Sequence, residues 1–344
     1  MDGPVTQSFG VLGNGESVRR ACVGTDGISA SIITLGAAVQ DLRLSAVDHP
    51  VVLGFPALDG YIENPSCFGA TVGRYANRIS NGQVRVEGRL IHLDRNEHGR
   101  QTVHGGREGS ATRNWRIIDH GRTHVSLADR LPDGHMGFPG TLEVTLTYRV
   151  IPPMDLELEF HAVTTAATPC SFAHHSYFNL DGSQTVLDHE LQVDAEHYLE
   201  LDTDKIPTGA VLPVESTPFD FRSLRPLAQG GIPFPHDHNF CLSRDQQPIR
   251  PVALLKGPGS GLEMEIETTE PGLQLCHGAM TSTRSPGLGG SPYGPHAGVA
   301  LEPQCWPDSP NRPDFPPAIL VPESEYRQTT RFRFQRFGLP DSGS

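Results

Sequence analysis

The 344-residue sequence lacks any apolar run approaching the roughly 20 residues that a membrane helix needs. Its opening residues, MDGPVTQSFG, lack the charged and then apolar segments of an export signal. Basic residues are scarce, because 27 Lys and Arg stand against 40 Asp and Glu, and no Lys/Arg run occurs. The net charge of −13 repels nucleic acids and acidic membrane surfaces. We therefore expect a cytoplasmic protein whose partner is neither a nucleic acid nor a membrane.

Two further absences concern cysteine and metal chemistry. The six cysteines lie far apart and form no C-x-x-C pair, so we expect reduced, buried thiols rather than a disulfide framework. The 16 histidines fall in no H-E-x-x-H motif and in no compact Cys/His cluster. The sequence therefore contains no recognisable metal-binding motif.

Glycine and proline, in contrast, are abundant, with 37 and 30 residues. Both interrupt helices and favour short strands joined by turns. Apolar and polar residues alternate in four segments, at residues 82–93, 141–150, 154–165 and 262–269. Such alternation is typical of antiparallel strands with one face on a core. The sequence therefore predicts an all-β fold, a large antiparallel sandwich.

The domain organisation follows from the absence of any change in composition that would mark a linker. The Gly/Pro-rich stretch 285–295 is predicted to be a loop inside the domain, because strand-like sequence resumes directly after it. We predict one domain over residues 1–338 and a frayed tail over residues 339–344.

Three polar residues stand out from the strand pattern. His104 precedes two glycines, which let backbone or a ligand approach the imidazole, and His175 lies among aromatic and apolar neighbours. Glu302 follows the apolar run GVAL, so its carboxylate needs a partner or has its pKa raised by burial. Together these groups suit general acid–base catalysis. Each alone also suits a structural role, with Glu302 paired to an arginine, and 127 residues separate His175 from Glu302.

Several motifs, in their order along the chain, resemble those of the aldose 1-epimerase (galactose mutarotase) family. They are GRYANRI, VHGG, HSYFNL, IPTGAVLPVESTPFDFR, DHNF, PGLQL, LEPQCWPDSPN and PESEY, and they cover nearly the whole chain. The resemblance implies a large antiparallel β-supersandwich of the galactose mutarotase type, with an open cleft across one concave sheet. It also implies interconversion of the α and β anomers of a free aldohexose, such as galactose or glucose, without metal or cofactor. We expect a monomer or a homodimer.

The resemblance also implies roles for individual residues. Glu302 matches the general base at the anomeric hydroxyl, His175 the general acid at the ring oxygen, and His104 a second histidine at that oxygen. Four further residues match positions that hold sugar hydroxyls or orient the base: Asn77, Arg78, Asp237 and Gln274. We expect Arg78 to keep Glu302 ionised, and the pKa values of Glu302 and His175 to lie within reach of neutrality. We also expect Phe178 to line the cleft.

The sequence departs from the family pattern at three places, of which Val103 in place of leucine before HGG is a mild change. His174 replaces an asparagine, and it would perturb the pKa of His175 by like-charge repulsion if both were protonated. After PGLQ, an aromatic residue and a Gly-Asn pair are replaced by residues 275–279, where we expect Cys276 not to be catalytic.

Three other functions are compatible with these residues. The first is a sugar-binding sandwich without catalysis, which the presence of both Glu302 and His175 disfavours. The second is a glycoside hydrolase, which normally needs two carboxylates flanking the bond, and Asp237 is the only matched acidic partner. The third is a mutarotase of a modified or phosphorylated sugar, but no additional Arg/Lys cluster near the motifs could hold a phosphate.

Overall fold

The computed structural model describes residues 6–64, 66–229 and 232–337. The predicted tail at residues 339–344 lies outside the described residues. Within them no helix is long and apolar enough to cross a membrane. In the described ranges, helical structure is limited to one short α-helix, α1, and four 3-10 turns. They span Leu58–Glu63 (α1), Ser80–Gly82, Ser110–Thr112, His135–Gly137 and Ser309–Asn311.

The strands are short, as expected for a chain so dense in glycine and proline. In chain order the first fourteen are β1 (Thr6–Val11), β2 (Ser17–Gly24), β3 (Ile28–Ile33), β4 (Ala38–Leu44), β5 (Thr71–Val72), β6 (Arg78–Ile79), β7 (Gln83–Val86), β8 (Arg89–His92), β9 (Thr102–Val103), β10 (Arg116–His120), β11 (His124–Leu131), β12 (Leu142–Ile151), β13 (Asp155–Thr164) and β14 (Thr168–Pro169). The others are β15 (Ala173–His174), β16 (Tyr177–Phe178), β17 (Glu190–Val193), β18 (His197–Leu201), β19 (Pro207–Pro213), β20 (Arg225–Pro226), β21 (Ala228–Gln229), β22 (Ile232–Pro233), β23 (Asp237–Cys241), β24 (Arg250–Gly257), β25 (Leu262–Thr268), β26 (Gly272–Cys276), β27 (Val299–Gln304), β28 (Ile319–Leu320) and β29 (Tyr326–Arg336).

Three large sheets organise these strands. A nine-stranded sheet has the order β10-β11-β12-β13-β29-β25-β24-β17-β20, a six-stranded sheet the order β16-β27-β26-β23-β18-β19, and a four-stranded sheet the order β1-β2-β3-β4. Strand pairing in all three sheets is antiparallel. The remaining described strands form the two-stranded pairs β14-β28, β15-β5, β21-β22, β6-β9 and β7-β8. The predicted all-β, antiparallel fold is thus confirmed.

The four alternating segments all form strands where the pattern predicts them. Residues 141–150, 154–165 and 262–269 correspond to β12, β13 and β25, three members of the nine-stranded sheet. Residues 82–93 form the hairpin of β7 and β8. The Gly/Pro-rich stretch 285–295 contains no strand and is a loop, as expected.

The main core lies between the nine-stranded and six-stranded sheets. Leu146 of β12 and Phe160 of β13 join the same buried cluster as Leu273 and Leu275 of β26 and Leu301 of β27. Since side chains alternate between the two faces of a strand, the residues between these leucines lie on the opposite face of the six-stranded sheet. That face, turned away from the core, carries the candidate site.

Candidate active site

A row of polar side chains crosses the face of the six-stranded sheet that is turned away from the core. Gln274 on β26 pairs with Glu302 on β27 and with Asn239 on β23. The neighbouring pair on the same face is Asp237 with Cys276. Because these pairs are separated by two residues along each strand, all five side chains share one face. The row includes three of the residues that the family motifs single out: Asp237, Gln274 and Glu302.

His175 reaches this row from the short link between β15 and β16. Its backbone N–H donates to Ala70 O at 2.8 Å, and its own carbonyl accepts from the N–H of Gly69 at 3.1 Å. These bonds fix the link, and the His175 Nε2 atom lies 3.5 Å from Glu302 Oε1. The structure therefore brings together the two residues that are 127 positions apart in the sequence.

His104 is held beside His175 by the pairing of β6 with β9. Next to that pair, the His104 N–H donates to Asn77 O at 3.0 Å, and the Asn77 N–H donates to His104 Nδ1 at 3.2 Å. Because Nδ1 accepts this hydrogen bond, the proton of the neutral ring is on Nε2. The ring centroids of His104 and His175 are 5.4 Å apart. His104 is thus a fixed N–H donor beside the acid–base pair.

The two glycines after His104 lie against other parts of the protein, so their lack of a side chain is explained without a ligand. Gly105 has φ of 84°, and a Cβ atom there would lie 2.0 Å from Gly73 O. Gly106 has φ of 98°, and its Cβ would contact the Met136 side chain at 2.9 Å. Glycine is required at the first position because two backbone segments touch there.

Two ion pairs that the sequence did not predict hold the charged residues of the site. Arg78 donates to both carboxylate oxygens of Glu97, at 2.7 and 2.8 Å. Lys205 Nζ lies 2.6 Å from Asp237 Oδ2, while Gln274 Nε2 donates to Asp237 Oδ1 at 2.8 Å. Glu97 and Lys205 lie outside the residues matched to site positions. The sequence signal for Lys205 is that it directly precedes the motif IPTGAVLPVESTPFDFR.

Burial has the largest effect on the pKa of Glu302. Its side chain is buried, with 2% of the residue exposed, and this burial raises its pKa well above the usual carboxyl value. The negative charge of Asp237 adds to the rise, and the positive charge of Arg78 opposes it without outweighing it. Arg78 thus acts on the pKa of Glu302 in the expected direction, but burial has the larger effect. Among the described residues, the carboxyl group of Glu302 contacts the imidazole of His175 and forms no ion pair with an arginine.

Burial disfavours the protonated form of both imidazoles of the site. Burial lowers the pKa of His175 to about 4, so the expectation of a value near neutrality is wrong. Burial also lowers the pKa of His104 well below its usual value, with further lowering by His175 and Arg78. Among the described residues, Nδ1 of His175 and Oε2 of Glu302 have no hydrogen-bond partner. Buried polar atoms without partners are expected where a ligand completes a site.

His174 lies on the other face of the chain and does not perturb its neighbour electrostatically. Its Nε2 is 2.7 Å from Ser176 Oγ, and its ring contacts Tyr148 and Phe332 of the core side. Burial lowers the pKa of His174 to about 3. Since His174 is neutral, the like-charge repulsion considered from the sequence does not arise.

The aromatic residue that faces the cleft is Tyr177, not Phe178. Tyr177 pairs with Ala300 and Phe178 with Val299, so strand alternation puts Tyr177 on the same face as Glu302. Phe178 is fully buried, and its ring lies 4.9 Å from that of Phe332. The expectation that Phe178 lines the cleft is wrong, because the register of β16 turns it into the core.

No disulfide bond joins any two cysteines among the described residues. Cys276 faces the cleft with its Sγ atom 3.7 Å from the Tyr177 hydroxyl, and burial raises the pKa of its thiol to about 12. A protonated thiol is a poor nucleophile, which agrees with the expectation that Cys276 is not catalytic. Within residues 6–64, 66–229 and 232–337, no three His, Cys, Asp or Glu side chains are grouped so that they could hold a metal ion.

Comparison with known proteins gives a consistent result at the level of family, sequence and fold. The model of the aldose 1-epimerase family matches residues 20–333. Galactose mutarotase of Mus musculus is 37% identical over 339 residues, covering 95% of this chain and 97% of the mouse protein. Aldose 1-epimerase of Escherichia coli is 32% identical over 321 residues, covering 90% and 92%. The solved structure of an aldose epimerase homologue from C. elegans superposes with a TM-score of 0.86 at 28% identity, covering 92% of this chain and 99% of that one.

Proposed function

The chain belongs to the aldose 1-epimerase family and interconverts the anomers of aldoses; from this premise we propose that galactose and glucose are its substrates and that Glu302 and His175 carry the reaction. The observation that supports these roles most directly is the 3.5 Å separation of His175 Nε2 and Glu302 Oε1. In an aldopyranose the anomeric hydroxyl oxygen and the ring oxygen are both bonded to C1. Two groups that exchange protons with these oxygens must therefore lie close together, as His175 and Glu302 do.

Ring opening needs one proton removed and one delivered. Glu302, as carboxylate, takes the proton of the anomeric hydroxyl, while His175, as imidazolium, gives its proton to the ring oxygen. The bond between C1 and the ring oxygen breaks, C1 becomes an aldehyde carbon, and neither oxygen develops a full charge. Rotation about the C1–C2 bond presents the other face of the aldehyde. Closure then runs the same proton transfers in reverse and gives the other anomer.

The other polar residues have positioning roles in this account. His104 carries its proton on Nε2, so it donates a hydrogen bond to the ring oxygen as negative charge develops there. Asp237 accepts hydrogen bonds from sugar hydroxyls. Although burial acts to raise its pKa, the charges of Lys205 and Arg78 lower it below the usual value, so Asp237 stays ionised. Gln274, bonded to Asp237 and adjacent to Glu302, links the binding groups to the base.

The shifted pKa values are compatible with catalysis because the acid and the base share one proton. Protonated Glu302 with neutral His175 contains the same number of protons as carboxylate Glu302 with imidazolium His175. Burial favours the first form, because neither side chain is charged in it. Conversion to the second form is a proton transfer within the pair and needs no proton from solvent. Hydrogen bonds from the sugar to the unpartnered Oε2 of Glu302 favour this charged form.

Because Glu302 and His175 share a single proton, we predict a pH profile with a wide plateau. As pH falls through about 4, the pKa of His175, the pair gains a second proton, Glu302 can no longer act as base, and kcat/KM for α-galactose decreases. As pH rises through the raised pKa of Glu302, the pair loses its single proton and His175 can no longer act as acid. Polarimetry of freshly dissolved α-galactose across pH, after subtraction of the uncatalysed rate, measures the profile.

Two results of this experiment would contradict the account. If the protein does not accelerate the rotation change over buffer at any pH, galactose is not a substrate. If the rate follows a single titration near pH 6.5, the usual pKa of a histidine, then an exposed imidazole and not the buried pair is the proton donor.

A further inference from the structure

Lys205 contacts a residue of the site but lies outside the residues that the family motifs single out. Its Nζ atom lies 2.6 Å from Asp237 Oδ2, and its side chain is 50% exposed. The other carboxylate oxygen, Asp237 Oδ1, accepts from Gln274 Nε2 at 2.8 Å. A carboxylate oxygen has two acceptor positions, so each oxygen of Asp237 can accept a further hydrogen bond from a sugar hydroxyl. Lys205 and Gln274 thus hold Asp237 from two sides without using its full acceptor capacity.

The turn between β18 and β19 fixes the position of Lys205. Asp202 Oδ1 accepts from the backbone N–H groups of Asp204 and Ile206, at 2.8 and 3.0 Å. The Lys205 N–H donates to Asp202 O at 3.0 Å, and Lys205 has φ of 60°. A positive φ is uncommon for a residue with a side chain and persists where the surrounding contacts determine it. The Lys205 side chain therefore starts from a fixed backbone position beside Asp237.

A second turn holds the first one in place. Its residues Glu97 and Arg100 are joined by a hydrogen bond from the Arg100 N–H to Glu97 O, at 3.0 Å. Arg100 Nη2 lies 2.8 Å from Asp204 Oδ2, and Glu97 pairs with Arg78. Asp204 thus contacts the second turn, while the next residue, Lys205, contacts the site. Each of the two turns therefore holds one charged residue of the site, and an ion pair joins the turns.

The charge of Lys205 affects the protonation state of Asp237. Burial acts to raise the pKa of Asp237, but the charges of Lys205 and Arg78 and the hydrogen bonds from Lys205 and Gln274 lower it below the usual value. Among the described residues, Lys205 is the only lysine or arginine that forms an ion pair with Asp237. Without Lys205 the pKa of Asp237 rises, and a protonated carboxyl group accepts fewer hydrogen bonds.

The orientation of the Gln274 amide depends on the same pair. An ionised carboxylate only accepts hydrogen bonds, so Gln274 turns its Nε2 group towards Asp237 and its Oε1 atom away from it. This Oε1 atom is buried and has no hydrogen-bond partner among the described residues. A buried acceptor without a partner is expected where a ligand completes the site. The ionised state of Asp237 thus leaves Gln274 Oε1 available to a sugar hydroxyl.

We propose that Lys205 is a positioning residue for sugar binding, which holds Asp237 as an ionised acceptor and, through Asp237, orients the amide of Gln274. This inference rests on the proposed function, in which Asp237 and Gln274 bind the sugar. Lys205 does not contact Glu302 or His175 in this account. Its loss therefore weakens sugar binding more than it slows the proton transfers.

The Lys205→Met variant tests the proposal, because methionine keeps an unbranched side chain and removes the charge. Polarimetry should show KM for α-galactose raised at least about tenfold, with kcat within about threefold of the unmodified protein. The increase in KM should grow as pH falls from about 8 to about 5, because the raised pKa of Asp237 brings its protonation closer to the assayed range. Lys205→Arg keeps a positive charge at this half-exposed position and should return KM to within about threefold.

Lys256→Met is the matched control, since Lys256 is the only other lysine in the sequence. Its Nζ atom lies 2.7 Å from Glu263 Oε2, so an ion pair of nearly the same length is removed from the nine-stranded sheet, away from the site. Both KM and kcat should stay within about twofold of the unmodified protein.

Three outcomes would overturn the inference. One is an unchanged KM in Lys205→Met, and another is a loss confined to kcat. The third is an increase in KM that is the same at every pH and that Lys205→Arg does not reverse, because that pattern reports a disturbed turn and not a lost charge. These results are distinguishable from failure of the proposed function, in which the unmodified protein itself does not accelerate the rotation change of galactose.

Discussion

The Glu302→Gln variant is expected to lose nearly all turnover of α-galactose, with kcat lowered by about 10²–10⁴-fold, the usual contribution of a general base. Glutamine has the volume of glutamate and can still hydrogen-bond the anomeric hydroxyl, but it cannot accept its proton. Sugar binding is therefore expected to remain within about threefold of the unmodified protein. Polarimetry gives the rate, and titration calorimetry gives the affinity for galactose.

Glu270→Gln is the matched control for this variant. Glu270 is as buried as Glu302, since each is 2% exposed, and burial raises its pKa to about 7. It lies in a different pocket, next to Cys170 and Tyr326. The same chemical change is thus made in a similar environment away from the cleft, and turnover should be unchanged. Full activity of Glu302→Gln, or equal losses in the two variants, would contradict the assignment of Glu302 as the base.

The His175→Asn variant is expected to show a comparable loss, about 10²–10⁴-fold in kcat, because asparagine cannot deliver a proton to the ring oxygen. Since His175 and Glu302 act in the same step, the double variant should be little slower than either single variant. The acid limb near pH 4 should also disappear from any residual activity, because it reports the pKa of His175.

His174→Asn tests whether the effect belongs to position 175. His174 is 3% exposed and His175 8%, but His174 points towards Tyr148 and Phe332 on the core side. Its replacement should leave kcat/KM within about threefold and have its main effect on thermal stability. Additive losses in the double variant, or a loss at position 174 as large as at position 175, would show that the imidazole of His175 does not act with Glu302.

The strand content could be predicted from the sequence because alternation in segments such as residues 141–150 reports burial of one face directly. The same alternation, combined with the strand register that the structure shows, explains why the expectation for Phe178 was wrong. Tyr177 and Phe178 are adjacent aromatic residues, and only their pairing with Ala300 and Val299 decides which one faces the cleft. A shift of one residue in β16 would exchange them, and the sequence does not contain that register.

The sequence was sufficient to predict the residue types of the site, but not the pKa values of their side chains. The motifs single out Glu302 and His175, and the structure brings the two side chains together. Their pKa values depend on burial and on charges from distant segments, so the sequence did not reveal that burial outweighs the effect of Arg78 on the pKa of Glu302. The ion pair of Arg78 with Glu97 joins residues 19 positions apart, on either side of the β7–β8 hairpin, and strand alternation alone does not predict that the two side chains meet.

The most direct test of the central claim, that Glu302 and His175 act on two oxygens bonded to the same carbon, is a crystal structure of the Glu302→Gln variant with galactose. We expect the side-chain amide at position 302 to lie within about 3 Å of the anomeric oxygen, and His175 Nε2 to lie within about 3 Å of the ring oxygen. A galactose molecule whose anomeric and ring oxygens contact neither side chain, or that binds outside the cleft of the six-stranded sheet, would contradict it.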